Sequence, residues 1–121
     1  MIHKMSGCFL YIHIADNLRN LILKGDYLPG QKLSSIRLMA KEEGCNPATV
    51  YRAFKLLEQE EFVYTQNRKG YFVTNNLLKL GTLRKKELRK LTKEFIEKLN
   101  LLGYSNKEIG ELLERYSNSS L

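Results

Sequence analysis

LSSIRLMAKEEGCNPATVYRAFKLLEQ, running from Leu33 to Gln59, contains two short helices and the tight turn between them. Ser34 or Ser35 can accept hydrogen bonds from the free amides at a helix start, and Ile36, Met39 and Ala40 follow at helical spacing. Gly44 stops that helix. Asn46 is a strong N-cap, and Pro47 suits the first helical position, where its missing N–H costs nothing. A further helix is therefore predicted over about residues 47–60. On a 100° wheel, Val50, Ala53, Phe54 and Leu57 fall on one side and belong to a core. Ala48, Tyr51, Arg52 and Lys55 fall opposite, with Thr49 at the boundary. Two short helices around a glycine-containing turn form a helix-turn-helix.

Outward from this stretch the elements complete a larger unit. Leu10, Ile14, Leu18, Leu21 and Ile22 lie at helical spacing and predict a helix over about 10–24, ended by Gly25. Residues 1–8 carry no periodicity and read as a loose arm. Tyr27-Leu28-Pro29-Gly30 is a turn. Phe62–Thr65 and Tyr71–Thr74 are β-branched and aromatic runs around Gln66-Asn67-Arg68-Lys69-Gly70, which predicts a hairpin. Helix, helix-turn-helix and hairpin, in that order, make a winged helix over residues 9–76.

After Asn76 the composition shifts to Leu, Lys, Glu and Arg. Leu88, Leu91, Phe95, Leu99 and Leu102 mark one face of a long helix, broken at Gly103. Ser105 with Glu108 is a capping box that opens a last helix carrying Ile109, Leu112 and Leu113. The fold class expected is mainly α with a small β-hairpin, the winged helix being followed by a two-helix tail over 77–116. A two-helix hairpin has little core of its own. The eight apolar residues named in this paragraph therefore read as a homodimer interface, with packing inside one chain as the alternative.

The 121 residues carry a formal net charge of +7, with 43% hydrophobic content. That supports a folded domain and points to a polyanionic partner. No apolar run approaches a membrane span, so a cytoplasmic protein without a membrane partner is expected. Cys8 and Cys45 are the only cysteines and read as reduced thiols; His3 and His13 add no ligand cluster, and no metal or cofactor is expected. No nucleophile–base set, phosphate loop or carboxylate pair suggests an enzyme.

If the helix-turn-helix meets DNA, the start of the third helix reaches the major groove. Arg52 could fork onto a guanine, Ala48 could touch a thymine methyl, and Thr49, Tyr51 and Lys55 could donate to bases or phosphates. Ser35 and Arg37 stand at a helix N-terminus suited to a phosphate; the alternative is a surface arginine paired with Glu42, with Glu43 or with nothing. Asn67, Arg68 and Lys69 give the wing a basic tip. Arg84, Lys85, Lys86, Arg89, Lys90 and Lys93 form a basic run that reads as a solvated face or a flanking DNA contact.

These residues carry a family pattern. Arg19-Asn20-Leu21-Ile22, Gly25 and Leu28-Pro29-Gly30 resemble the opening of the GntR family of bacterial regulators. Leu33–Ala40, Gly44–Ala53, Leu57-Glu58 and Gly70–Val73 resemble its later blocks, so the likeness covers roughly residues 9–74. The short tail is similar to that of the small YtrA-type subgroup. The resemblance implies DNA contacts at Arg37, at Asn46, Pro47, Ala48, Thr49, Tyr51 and Arg52, and at Arg68, Lys69 and Gly70. It also implies a dimer built by the tail, an operator as partner, and repression, often of operons encoding ABC transporters. A small-molecule effector stays open, as does the alternative of a winged helix used only for protein docking. The chain departs from the pattern where the family usually has proline (Ser34) or glycine (Glu61 and Arg68), and at Pro47 and Tyr51, where arginine is common.

Overall fold

The structure, a computed structural model, describes residues 7–118. In chain order the elements are α1 (Gly7–Lys24), α2 (Ile36–Glu43), α3 (Pro47–Gln59), β1 (Val63–Thr65), β2 (Tyr71–Val73), α4 (Leu77–Leu101) and α5 (Asn106–Ser117). The mainly helical class with one antiparallel hairpin is as the sequence predicts. α1 starts earlier than expected. Gly7 and Cys8 are helical rather than part of an arm, because an opening turn needs no buried stripe to be helical and so leaves no periodic signal. Residues 1–6 of the expected arm lie outside the described residues.

The chain divides into a compact unit ending at Gly81 and a second beginning at Thr82. In the first, α3 is the central element, with Val50, Ala53, Phe54 and Leu57 all at 1% exposure or less. Both α1 and α2 pack on it. Ile14, Leu18 and Ile22 of α1 are buried, as are Met39 and Ala40 of α2 and Phe62, Val63 and Val73 of the hairpin. Each large apolar side chain so buried contributes about 1.5–3 kcal/mol. Leu80, in the first turn of α4, is also buried, and the Asn76 side chain caps that turn by accepting from Lys79 N at 3.0 Å. The start of α4 thus belongs with the winged helix, a few residues beyond the boundary expected at Asn76.

Among the described residues of this unit, one charged side chain is enclosed. Arg19 is 8% exposed; its Nε and Nη2 donate to Glu60 Oε1 at 3.1 and 2.6 Å, and Nη1 donates to Asp16 Oδ1. Its guanidinium also lies 5.6 Å from the centre of the Phe62 ring. Burial works against the charge, but the bonds to Glu60 and Asp16 outweigh it and raise the arginine's pKa. The pair ties the middle of α1 to the end of α3.

The hairpin pairs Val63 with Val73, Tyr64 with Phe72 and Thr65 with Tyr71. Its second strand has a further partner. Lys32 bridges Phe72, Leu33 N donates to Tyr71 O at 2.8 Å, and Val73 N donates to Gln31 O at 2.9 Å. This third segment pairs through a single isolated bridge at Lys32 and is too short to show an alternation in the sequence.

In the second unit the capping box is present, with Glu108 N donating to Ser105 Oγ at 3.1 Å and Ser105 N donating to Glu108 Oε1 at 2.9 Å. Gly103 takes the left-handed conformation, φ 95°, between the two helices. Ile109 is buried in the single chain, and Leu99 and Leu112 are half-buried. Leu88, Leu91, Phe95, Leu102 and Leu113 are exposed, from 41% at Phe95 to 73% at Leu102.

Candidate nucleic-acid interface

The turn between α2 and α3 is fixed by caps on both sides. Ser35 Oγ accepts from Leu38 N at 3.1 Å and starts α2. Gly44, at φ 67°, closes α2, and Cys45 N returns to Ala40 O at 2.9 Å. Asn46 Oδ1 accepts from Ala48 N at 2.9 Å, with Pro47 in the first turn of α3. Burial, reinforced by the nearby Glu43 carboxylate, pushes the Cys45 thiol's pKa up, so it stays protonated. With its caps satisfied and its inner face buried, α3 presents the opposite face in a fixed orientation.

That face is the predicted one. Ala48, Tyr51 and Arg52 are exposed and Thr49 and Lys55 partly so. The two cations on it are held differently. Lys55 Nζ donates to Glu58 Oε1 at 3.0 Å and lies 5.8 Å from the centre of the Tyr51 ring. The hydrogen bond to Glu58 raises the pKa of Lys55. Arg52 instead lies over the ring of Tyr11, with 4.1 Å from its central carbon to the ring centre. Tyr11 belongs to α1 and carries no motif signal. Only the packing of α1 on α3 brings it there.

Beside α3, a groove of about 320 Å³ runs between the start of α2 and the wing. Four cations line it, Lys32, Arg37, Arg68 and Lys69, together with Ser34, Ser35 and Gly70, and no carboxylate is among its lining residues. The structure therefore brings together Ser35, Arg37, Arg68, Lys69 and Gly70, which the sequence placed on two separate segments. It adds Lys32, which sequence reasoning passed over because the bridge to Phe72 is not legible. Gly70 is favoured here by its backbone conformation. Its φ is 115°, and a Cβ at this position would meet Lys32 Cε at 3.1 Å. Tyr71 forms the groove's floor with Phe54, edge to face at 4.9 Å, and burial with nearby Glu58 raises the pKa of its phenol.

The wing turn itself is strained. Lys69 N donates to Gln66 O at 2.8 Å across a turn in which Asn67 has φ 42° and Arg68 φ 60°. Glu61, at the end of α3, has φ 68°. So Glu61 and Arg68, the two positions where this chain replaces a glycine common in the family it resembles, both hold the left-handed conformation that glycine takes freely. The backbone geometry is kept although the residue best suited to it is absent. At Arg68 the exchange adds a positive charge at the groove, and at Glu61 the side chain pairs with Lys79.

Comparison with known proteins agrees with this architecture. The sequence pattern of the family described as "Bacterial regulatory proteins, gntR family" matches residues 10–73, more than half of the chain. The chain is 28% identical over 108 residues to the HTH-type transcriptional regulator YhcF of Bacillus subtilis, covering 89% of each protein. It is 37% identical over 67 residues to the HTH-type transcriptional repressor YtrA of the same organism, covering 55% of this chain and 52% of YtrA. Among solved structures, a GntR family transcriptional regulator from Listeria monocytogenes superposes with a TM-score of 0.82 at 27% identity, covering 95% of this chain and 98% of that one. The chain belongs to the GntR family, and it is a non-enzymatic transcriptional regulator with a winged-helix DNA-binding domain.

Proposed function

We propose that this regulator is a repressor that binds a pseudo-palindromic operator as a homodimer in the cytoplasm. Each α3 enters a major groove while the wing and the start of α2 grip the flanking phosphates. The observation that carries this reading is the carboxylate-free groove with four cations beside the outward face of α3. Base edges would be met by Ala48, Thr49, Tyr51 and Arg52, and by Asn46 and Pro47 at the helix start. Phosphates would be held by Ser35, Lys32, Arg37, Arg68, Lys69 and the Gly70 amide. Lys55 is engaged with Glu58 and would have to exchange that partner for a phosphate. The repressing direction follows the likeness to YtrA, which is named a repressor. Control of a transporter operon is the corresponding expectation for the target.

The dimer in this reading is formed through the second unit. Leu88, Leu91, Phe95, Leu102 and Leu113 are the exposed part of the predicted interface. Leu99 and Leu112 are half-buried and Ile109 is buried within the single chain, so they would add less to the interface. Two recognition helices on a two-fold axis read two half-sites, which is why the operator should be a pseudo-palindrome.

The test is fluorescence anisotropy with a palindromic duplex from the regulator's own promoter region against a scrambled duplex, at several salt concentrations. A preference of roughly 10³-fold or more for the palindrome is expected. Four groove cations per subunit, eight in a dimer, predict a log–log salt slope of about −7. Weak binding, equal for both duplexes, would defeat the reading in favour of a protein-docking winged helix.

A further inference from the structure

The proposed base-reading arginine is held by a residue outside the recognition helix. We infer that Tyr11 is the positioning residue for Arg52, setting its guanidinium for readout and so shaping which operator is chosen. This deepens the operator-binding reading and rests on it.

The argument begins with how an arginine can be held and still bind. A guanidinium pinned by a carboxylate spends its in-plane N–H donors on that partner. A guanidinium stacked on a ring uses its face and leaves the donors at its edges free. Among the described residues, Arg52 makes the ring contact with Tyr11, at 4.1 Å, and no hydrogen bond. Its in-plane fork is therefore unspent. Lys55, one turn further along α3, is the contrasting case, since its ammonium already donates to Glu58. Ala48 sits one turn before Arg52 on the same face, and its methyl group leaves the fork's approach open.

The contact also acts on entropy. A free arginine on an exposed helix face would lose several rotatable bonds of freedom on meeting a base. One already restrained by a ring loses less, which favours the complex. Tyr11 is half-buried and belongs to α1, which packs against α3, so the restraint is anchored in the core. A bidentate arginine–guanine contact is directional, so restraint should help the matching base pair and do little for others.

The experiment uses the full chain. Selection from random duplexes with wild type and with Arg52→Ala identifies the base pair that Arg52 reads. Anisotropy then compares wild type, Tyr11→Phe, Tyr11→Leu, Arg52→Ala and Tyr11→Leu/Arg52→Ala on the selected duplex and on one changed at that base pair. Tyr11→Phe keeps the ring and should bind within about twofold of wild type. Tyr11→Leu should lose roughly 3- to 10-fold on the selected duplex, little on the changed one, and nothing further once Arg52 is absent. Thermal unfolding of Tyr11→Leu separates this effect from a damaged fold, and equal binding of Tyr11→Leu and wild type to non-specific DNA serves as a second control. An equal loss with and without Arg52, or tighter binding by Tyr11→Leu, overturns the positioning role while leaving the operator reading intact. Recovery of no preferred site by wild type overturns the operator reading, and the positioning role falls with it.

Discussion

The two units of this chain dispose of their apolar side chains in opposite ways. In the unit ending at Gly81, helix α3 is enclosed on its inner face, with Val50, Ala53 and Leu57 at 0% exposure and Phe54 at 1%. In the unit beginning at Thr82, Ile109 is the only described apolar residue that is buried, while Leu88, Leu91, Phe95, Leu102 and Leu113 face outward. The first unit has a core that one chain completes. The second has a stripe that one chain leaves open, and burying it needs further surface. A regulator so built would have an independently folded reading head and a segment whose stability depends on association.

The largest effect that could break this contrast comes from matched truncations of a phenylalanine in each unit. Phe54→Ala should cost about 3–5 kcal/mol and leave the first unit close to unfolding. Phe95→Ala should leave that unit's denaturant transition almost unchanged. Its effect should appear as weaker self-association, read by analytical ultracentrifugation across a concentration series. If Phe95→Ala lowered stability by a similar amount at every concentration, the stripe would be packed within one chain.

A smaller effect tests the buried arginine of the first unit, which pairs with both Glu60 and Asp16. Arg19→Met keeps most of the packing against Phe62 and removes the donors to Glu60 and Asp16. A fully enclosed pair broken in this way would cost about 3–5 kcal/mol. Here the side chains of Glu60 and Asp16 remain 38% and 56% exposed, so water can take over, and about 1–2 kcal/mol is expected from urea unfolding. No change would mean that the arginine's apolar stem, and not its charge, joins α1 to the end of α3.

How much of this was legible in the sequence depended on how local each signal was. The caps at Ser35, Asn46 and Ser105, the glycine stops and the inner face of α3 are written within a few residues and fell where expected. The hairpin was legible for the same reason, although its three-residue strands are shorter than the runs that announce them. Lys32 and Tyr11 were not legible. One reaches the groove through a bridge 40 residues away in sequence, the other reaches Arg52 from a separate helix, and neither distance leaves a periodic trace. The separation of Ile109 from the rest of the apolar stripe was likewise invisible, since a hydrophobic pattern shows which residues share a face and not how far their own chain covers it.

The smallest expected effect concerns how the two units make their reverse turns. In the second, the left-handed residue between the helices is Gly103, which adopts φ 95° without steric cost. In the first, Gly44 serves the same way at φ 67°, but this region of backbone space is also forced on Glu61 and Arg68. A side chain there costs about 1–2 kcal/mol, partly offset on replacement by the greater freedom that glycine has in the unfolded chain. Arg68→Gly and Glu61→Gly should therefore each raise stability by about 1 kcal/mol, a shift of a few degrees in Tm, with Glu61→Gly gaining somewhat less because it also loses the exposed pair with Lys79. On DNA the two should part. Arg68→Gly removes a groove cation from each subunit, so binding should weaken and the salt slope should flatten by about 2 for a dimer. Glu61 does not line the groove, and Glu61→Gly should leave the slope unchanged. If both variants were stabilised and neither altered the slope, the arginine at the wing would be a tolerated strain without a role in binding. If Arg68→Gly gained stability and lost DNA affinity together, the strain at the wing would be what the reading head sustains to keep a charge where a phosphate passes.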